Sequence, residues 1–166
     1  DNLIEPYRSR SIELIQRQVP DVERFLSVSE AYVPKMASML AIPPERISVV
    51  PLGINLAGYT RRERHRHQGE PFRIGFFARI APEKGLHLLA DAYIRLRRRV
   101  PHARMQLDAA GYMWQAQAPY LAEIKAKLHA AGLGEEFTYH GAVDRAAKLA
   151  FLRSADVMSV PAPYDE

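Results

Sequence analysis

The sequence contains no cysteine, which excludes disulfides, thiolate nucleophiles and thiolate-bound zinc together. It has no apolar stretch near the roughly 20 residues that a membrane-spanning helix requires. Its N-terminus also lacks the basic, apolar and small-residue segments of a signal peptide. Because a chain without cysteine suits a reducing compartment, we expect a cytoplasmic protein.

Several ligand-binding signatures are absent as well. The chain has neither a GxGxxG fingerprint nor a Walker loop, which argues against dinucleotide and P-loop chemistry. Its aromatic residues do not alternate with the basic ones, as a stacking platform for nucleic acid would require, and we expect no nucleic-acid partner. The run RRERHRH at 61–67 is typical of a solvated linker. No third ligand lies near its histidines, so no metal site is predicted.

What the sequence does contain is apolar material for one globular domain and part of a second. Of its 166 residues, 48% are hydrophobic and 25% are charged, as in ordinary folded domains. The formal net charge of +4 favours anionic ligands such as nucleotide phosphates.

The first block of the chain predicts an αβαβ fragment. The segment 8–19 is weakly helical, and 23–29 is typical of a strand. Ser29 is placed to cap a helix over 30–41, and a second short strand follows at 47–50.

The second block alternates regularly between strands and helices. Strands are predicted at 72–78, 104–111, 137–141 and 156–162, and helices at 83–99, 118–130 and 144–154. Strands that are apolar almost throughout and are joined by helical crossovers indicate a parallel sheet covered on both faces. The prediction is therefore a doubly wound α/β domain over 72–166, preceded by a linker at 56–71 and by a short α/β segment at 1–55.

Two loops of this domain are expected to share one crevice. In the common strand order 3-2-1-4 the chain reverses direction between the first and fourth strands, and ligands bind at their carboxyl ends. The stretch GFFARIAPEKG at 75–85 follows the first strand, and PAPYDE at 161–166 follows the fourth. Pro82 suits the first position of a helix, whose free N–H groups with Arg79 and Lys84 would bind a phosphate or diphosphate. The alternative is that both cations cap or solvate a loop.

Polar and aromatic residues near these strand ends allow two interpretations each. Asp108 interrupts an apolar strand near its carboxyl end, which indicates either a ligand contact or a helix-capping or loop hydrogen bond. His140 ends the third strand and is either a structural histidine or a nucleotide contact. Tyr112 and Trp114 follow the second strand and are expected to pack over a helix rather than bind sugar.

Three stretches, in the same order and at the same spacing, resemble one family. FFARIAPEKGLHLLADAYIRL at 76–96 resembles its GRL-x-PEKG strand and helix, VVPLGIN at 49–55 resembles its entry to the C-terminal domain, and 137–166 resembles the run to its nucleotide-sugar motif. The sequence is thus similar to the retaining glycosyltransferases of family 4, the group 1 glycosyltransferases with the two-domain GT-B fold. This resemblance implies a Rossmann-like sheet that forms the first half of the C-terminal donor domain, after the end of the N-terminal acceptor domain.

The resemblance also implies roles for individual residues. Arg79 and Lys84 correspond to the basic pair that binds the donor diphosphate and stabilises the leaving group, where preorganised cations are most effective. Gly141 to Val143 match the loop that lines the nucleotide-base pocket, largely through backbone. Glu166 matches the first glutamate of the family's Glu, seven residues, Glu motif, which holds the donor sugar.

The implied reaction moves a sugar from a nucleotide-diphosphate donor to a saccharide, lipid or small-molecule acceptor, with retention of anomeric configuration. No metal or other cofactor is expected, because arginine and lysine carry the diphosphate charge. The chain starts without methionine and ends inside the motif, so we interpret it as a fragment that has no transferase activity on its own. The full-length protein is expected to be compatible with peripheral association with a membrane. Two alternatives stay open: another enzyme with this fold, such as a sugar-nucleotide epimerase or a phosphorylase, and a non-enzymatic α/β binding module.

Overall fold

The computed structural model describes residues 6–59 and 69–163. They divide between two compact units, Asp1–Ala57 and Gly58–Glu166, and each unit has its own apolar core. The basic run at 61–67, with His65 and His67, lies outside the described residues.

The first unit contains two helices and two strands in the predicted αβαβ order: α1 (Tyr7–Gln18), β1 (Phe25–Ser27), α2 (Val33–Leu40) and β2 (Ile47–Val49). The two strands pair in parallel. The predicted cap is confirmed, because the hydroxyl of Ser29 accepts a hydrogen bond from the N–H of Ala31 at 3.3 Å. The helix that follows opens with a 3-10 turn, Glu30–Tyr32, before α2 begins.

The second unit alternates strands and helices along the whole of its described length: β3 (Phe72–Phe77), α3 (Leu86–Arg99), β4 (Met105–Ala110), α4 (Ala118–Ala130), β5 (Phe137–Tyr139), α5 (Arg145–Ser154) and β6 (Val157–Met158). All of its strand pairs are parallel, in the order β5-β4-β3-β6. In chain order within this sheet that is 3-2-1-4, so the predicted doubly wound topology is confirmed.

The helices form where apolar residues recur at helical spacing. On α3, Leu86, Leu89 and Tyr93 follow one another at three- or four-residue intervals and are buried. Its last turn carries Arg97, Arg98 and Arg99, which favour the negative end of the helix dipole. In the part of the chain that the structure describes, no helix is long and apolar enough to cross a membrane.

The two faces of the four-stranded sheet differ in chemistry because successive strand residues point to opposite sides. One face packs against α3 and α4 and supplies the main core, through Ile74, Phe76, Leu107 and Ala109. The other face carries Asp108 and packs against α5. There the ring of Phe151 lies 5.8 Å from that of Phe77 and 5.6 Å from that of His140, centroid to centroid. The polar cluster of Arg73, Asp108 and His140 thus lies on the α5 face of the sheet, opposite the apolar core.

The last strand is shorter than predicted. Only Val157 and Met158 pair with β3, whereas the sequence predicts a strand over 156–162. Pro161 has no N–H to donate to a ladder. Ala162 instead donates its N–H to the carbonyl of Val160 at 2.9 Å, so the chain turns away from the sheet.

Candidate functional site

The loops that follow β3, β4 and β5 are joined at the carboxyl edge of the sheet. The N–H of Gly111 donates to the carbonyl of Gly141, and the N–H of Ile80 donates to the carbonyl of Tyr112, both at 2.9 Å. The loop that carries Arg79 and the loop that begins at Gly141 therefore meet through the segment between them.

Gly111 is the residue that makes this meeting possible. Its φ is 146°, and a Cβ added there would lie 1.9 Å from the carbonyl oxygen of Ala78. Only glycine allows so close a backbone approach. The sequence analysis missed this position, although a glycine directly after a buried strand is a signal for such an approach.

A second close approach joins the loop after β3 to the segment after β6. Gly85 has a φ of 75°, and a Cβ there would lie 1.9 Å from the carbonyl oxygen of Pro161. The two segments that were predicted to share a crevice thus meet at this point. Glu166 lies outside the described residues, and its role stays a prediction.

Pro82 does occupy the first position of a helical segment, as predicted, but this segment is not α3. Pro82–Lys84 form a separate 3-10 turn, closed by hydrogen bonds from the N–H of Lys84 to the carbonyl of Ala81 at 2.9 Å and from the N–H of Gly85 to the carbonyl of Pro82 at 3.0 Å. The left-handed backbone at Gly85 interrupts the helical path, and α3 begins at Leu86. Lys84 therefore lies before the helix rather than in its first turn.

One N–H at the start of α3 is already bonded within the protein. The N–H of His87 donates to the hydroxyl of Tyr120 at 3.1 Å, and His87 Nδ1 lies 2.9 Å from the same oxygen. Burial raises the pKa of Tyr120, so the hydroxyl stays protonated at neutral pH. The expectation of free helix N–H groups for a phosphate is therefore wrong at His87.

The two candidate cations have different surroundings. Arg79 is exposed, and its Nη2 lies 3.1 Å from Oε1 of Glu83. Both side chains are more than half exposed, at 57% and 54%, and a surface pair of this kind contributes at most about 1 kcal/mol. Lys84 is partly buried, and no carboxylate of the described residues lies within ion-pair distance of it. The sequence analysis did not consider that the carboxylate of Glu83 competes with an anionic ligand for the guanidinium of Arg79.

The loop after β5 leads directly into α5. Gly141 has a φ of 75°, and Val143 is partly buried. The loop ends at Asp144, whose Oδ1 accepts a hydrogen bond from the N–H of Ala147 at 2.8 Å and caps the helix. The cap fixes the segment from Gly141 to Val143 between a strand end and a helix start.

Asp108 lies at the centre of a charged cluster on the α5 face. Its side chain is 4% exposed, with Oδ2 2.8 Å from Nη1 of Arg73 and Oδ1 2.9 Å from Nε2 of His140. Asp108 therefore caps no helix, and it pairs with a side chain of the neighbouring strand and with that of the loop residue that follows β5, as the loop alternative predicted. Its two contacts compensate the cost of burying a carboxylate.

The aromatic residues after β4 do not pack over a helix as expected. Tyr112 and Trp114 are 54% and 61% exposed. Their side chains stand in solvent in the loop that lies beside the Arg79 segment.

The match to a protein family covers most of the second unit. Residues 60–166 match the family described as glycosyl transferases group 1. The chain belongs to this family. The matched residues include all four strands of the sheet β5-β4-β3-β6.

Two relatives with this activity in their names resemble the chain in sequence. A D-inositol 3-phosphate glycosyltransferase of Arthrobacter sp. (strain FB24) is 31% identical over 168 residues, which cover 98% of this chain and 38% of the relative. Another, from Jonesia denitrificans, is 26% identical over 137 residues, with 76% and 32% covered. The chain thus spans less than two fifths of either relative.

Solved structures share the fold. HepE of Anabaena, solved in complex with UDP, superimposes with a TM-score of 0.74 at 16% identity, over 99% of this chain and 44% of HepE. The sucrose-phosphate synthase of Thermosynechococcus elongatus gives a TM-score of 0.71 at 17% identity, over 95% and 39%. At these identities the likeness establishes the Rossmann-like GT-B architecture.

Proposed function

We propose that this chain carries part of the donor site of a retaining glycosyltransferase of family 4. In the complete protein, a sugar would pass from a nucleotide-diphosphate donor to a saccharide, lipid or small-molecule acceptor, with its anomeric configuration retained. The observation that carries the proposal is the position of Arg79 and Lys84, on one loop of the carboxyl edge that is joined through the loop after β4 to the loop from Gly141 to Val143. Membership of the family and the UDP bound by HepE support it.

In this proposal Arg79 and Lys84 bind the diphosphate. A guanidinium and an ammonium form short, charge-assisted hydrogen bonds to phosphate oxygens. They also stabilise the negative charge that develops on the leaving diphosphate as the sugar–phosphate bond breaks, so no metal is required for that step. The exposed pair between Arg79 and Glu83 is weak enough for a dianionic diphosphate to replace the carboxylate.

The loops after β5 and β6 take the remaining roles in the proposed donor site. Gly141 and Val143 would line the base pocket, and Glu166 would hold the donor sugar. Functionally we divide the chain into the end of an acceptor domain at 1–55, a linker at 56–71 and the first half of a donor domain at 72–166. The part assigned to Glu166 rests on its place in the sequence, five residues after Pro161, which contacts the loop after β3 at Gly85.

A calorimetric titration of the complete protein with UDP, GDP and ADP tests the proposal. We expect one nucleotide to bind, and the Arg79→Ala, Lys84→Ala double variant to lose at least about 100-fold in affinity, because hydrogen bonds to charged groups contribute about 1.5–3 kcal/mol each. An Arg98→Ala, Lys125→Ala variant removes the same charge from exposed helix surfaces and should bind like wild type. Equal losses in both variants would contradict the assignment.

Retention is tested separately from binding. The anomeric configuration of the first product, read by proton NMR before it equilibrates, should equal that of the donor sugar. An inverted product would contradict a retaining mechanism and leave the diphosphate site intact. Epimerisation of the sugar nucleotide would instead favour an epimerase with this fold. Cleavage of a saccharide by phosphate, with release of a sugar phosphate and the shortened saccharide, would favour a phosphorylase.

A further inference from the structure

A buried carboxylate binds one ring nitrogen of His140, which is Nε2. A carboxylate accepts hydrogen bonds through both of its oxygens. Oδ2 of Asp108 faces the guanidinium of Arg73 at 2.8 Å, and Oδ1 lies 2.9 Å from Nε2 of His140. This contact selects the tautomer of the neutral imidazole that has its proton on Nε2, in which Nδ1 carries a lone pair that can accept a hydrogen bond.

The ring is also fixed in orientation. Its edge packs on Phe151 of α5, with centroids 5.6 Å apart and an interplanar angle of 75°. The N–H of His140 donates to the carbonyl of Ala109 on β4 at 2.9 Å. Three elements, β4, β5 and α5, thus position one imidazole, which makes its Nδ1 a preorganised acceptor.

This acceptor is open to a ligand. The side chain of His140 is 40% exposed, and no described residue forms a hydrogen bond with its Nδ1. His140 directly precedes Gly141, whose carbonyl joins the loop after β4. In the proposed function the nucleoside lies against the loop from Gly141 to Val143, which begins directly after His140.

We propose that His140 is a specificity-determining contact for the nucleoside half of the donor, with Nδ1 accepting a hydrogen bond from a base N–H or a ribose hydroxyl. Asp108 and Arg73 act as positioning residues, because they fix the tautomer that leaves Nδ1 unprotonated. This inference rests on the proposed function and adds to it a side-chain contact that distinguishes nucleotides.

The test compares ligands that contain the nucleoside with one that lacks it. The complete protein is titrated with inorganic pyrophosphate and with whichever of UDP, GDP or ADP it binds. His140→Phe keeps an aromatic ring against Phe151 and removes the acceptor. We expect this variant to bind the nucleotide about 10-fold more weakly, because it loses one hydrogen bond. It should keep the wild-type affinity for pyrophosphate.

Modified nucleotides identify the group that donates. One arm uses the nucleotide methylated at the N–H of its base, and the other uses the 2′-deoxy nucleotide. We expect wild type to bind one of these analogues about 10-fold more weakly than the parent, and His140→Phe to bind that analogue and the parent equally. Which analogue shows the effect assigns the contact to the base or to the ribose.

The positioning role of Asp108 has its own readout. In Asp108→Asn the amide oxygen can face Arg73 and its NH₂ can donate to Nε2, which moves the imidazole proton to Nδ1. Nitrogen-15 NMR should show the tautomer change, together with a nucleotide loss like that of His140→Phe and unchanged pyrophosphate binding. Retention of the Nε2–H tautomer would overturn the role of Asp108.

The outcomes separate the two claims. The inference is overturned if His140→Phe binds both nucleotide and pyrophosphate with wild-type affinity, or if its affinities for the two ligands fall equally. Either result leaves the diphosphate site in place. Wild type that binds no pyrophosphate, or binds it equally well after Arg79→Ala and Lys84→Ala, overturns the proposed function instead.

Discussion

The N–H of Gly111 donates to the carbonyl of Gly141 at 2.9 Å and thereby joins the ends of β4 and β5. On its other side Gly111 lies against the carbonyl of Ala78, which directly precedes Arg79. One residue without a side chain thus contacts both loops to which the donor nucleotide is assigned.

Replacement of Gly111 should separate these loops. In Gly111→Ala the new Cβ would have to occupy a space 1.9 Å from the oxygen of Ala78, at a φ of 146° that alanine rarely adopts. We expect a loss of about 3 kcal/mol or more in the free energy of unfolding, measured by urea denaturation. Gly132→Ala is the matched control, because φ is also positive there, at 73°, but no atom lies within 4 Å. It should lose only about 1 kcal/mol, and equal losses would argue against the close approach.

The core leucine of β4 should be far more costly to truncate than an exposed leucine of α3. Leu107 is fully buried, whereas Leu88 is 40% exposed. Leu107→Ala should lower the free energy of unfolding by about 2–5 kcal/mol, because it removes buried methyl groups and leaves a cavity. Leu88→Ala should change it by less than about 1 kcal/mol. Similar values for both would contradict the assigned core.

Tyr93 should make the fold sensitive to alkaline pH. Its hydroxyl donates to Oε2 of Glu136, a carboxylate that also lies 2.8 Å from Nε of Arg97. Burial, followed by the hydrogen bond to Glu136, raises the pKa of Tyr93 well above its usual value of 10.0. The unfolded chain therefore releases this proton above about pH 10 while the folded chain keeps it, and stability falls as the pH rises.

Tyr93→Phe isolates this effect. At pH 7 the variant should lose about 1–3 kcal/mol with the hydrogen bond to the carboxylate. The difference between wild type and variant should narrow above pH 10, because only wild type carries the raised pKa. Denaturation curves of both proteins from pH 7 to 11 give their free energies of unfolding. A difference between the two free energies that stays constant over this range would contradict the raised pKa of Tyr93.

The start of the second unit should be held in place by cations of α5. The ring of Tyr59 lies 5.9 Å from Cζ of Arg145 and 5.8 Å from Nζ of Lys148. The neighbouring carbonyl of Gly58 accepts a hydrogen bond from Nη2 of Arg153 at 2.6 Å. Tyr59→Leu should increase amide hydrogen exchange at residues 57–59 by about 5-fold, since cation–π contacts at exposed sites contribute about 0.5–1 kcal/mol. Tyr59→Phe keeps the ring and should exchange like wild type.

Much of the fold could be predicted because its signals are local. Apolar strands and amphipathic helices alternate along the chain, and handedness rules restrict how parallel strands connect. The order β5-β4-β3-β6 is the common doubly wound order, which the sequence analysis adopted as its expectation. The overlong prediction for β6 has a local cause as well, because Pro161 lies inside the predicted strand and cannot donate to a ladder.

The site was less predictable because its contacts are not local. Asp108 lies opposite Thr138 in the strand register, so His140, two residues further on, reaches the same face of the sheet. Nothing near Asp108 in sequence indicates its partners. The start of α3 was misplaced for another reason: the left-handed backbone of Gly85 depends on a contact with a segment 76 residues later, at Pro161.

That contact between Gly85 and Pro161 has a mechanical consequence. A carbonyl group seated against a Cα atom leaves no side chain to rotate and no space to take up. The loop after β3 and the segment after β6 therefore pack backbone against backbone at this point, and no change of side-chain rotamer can alter the spacing between them there.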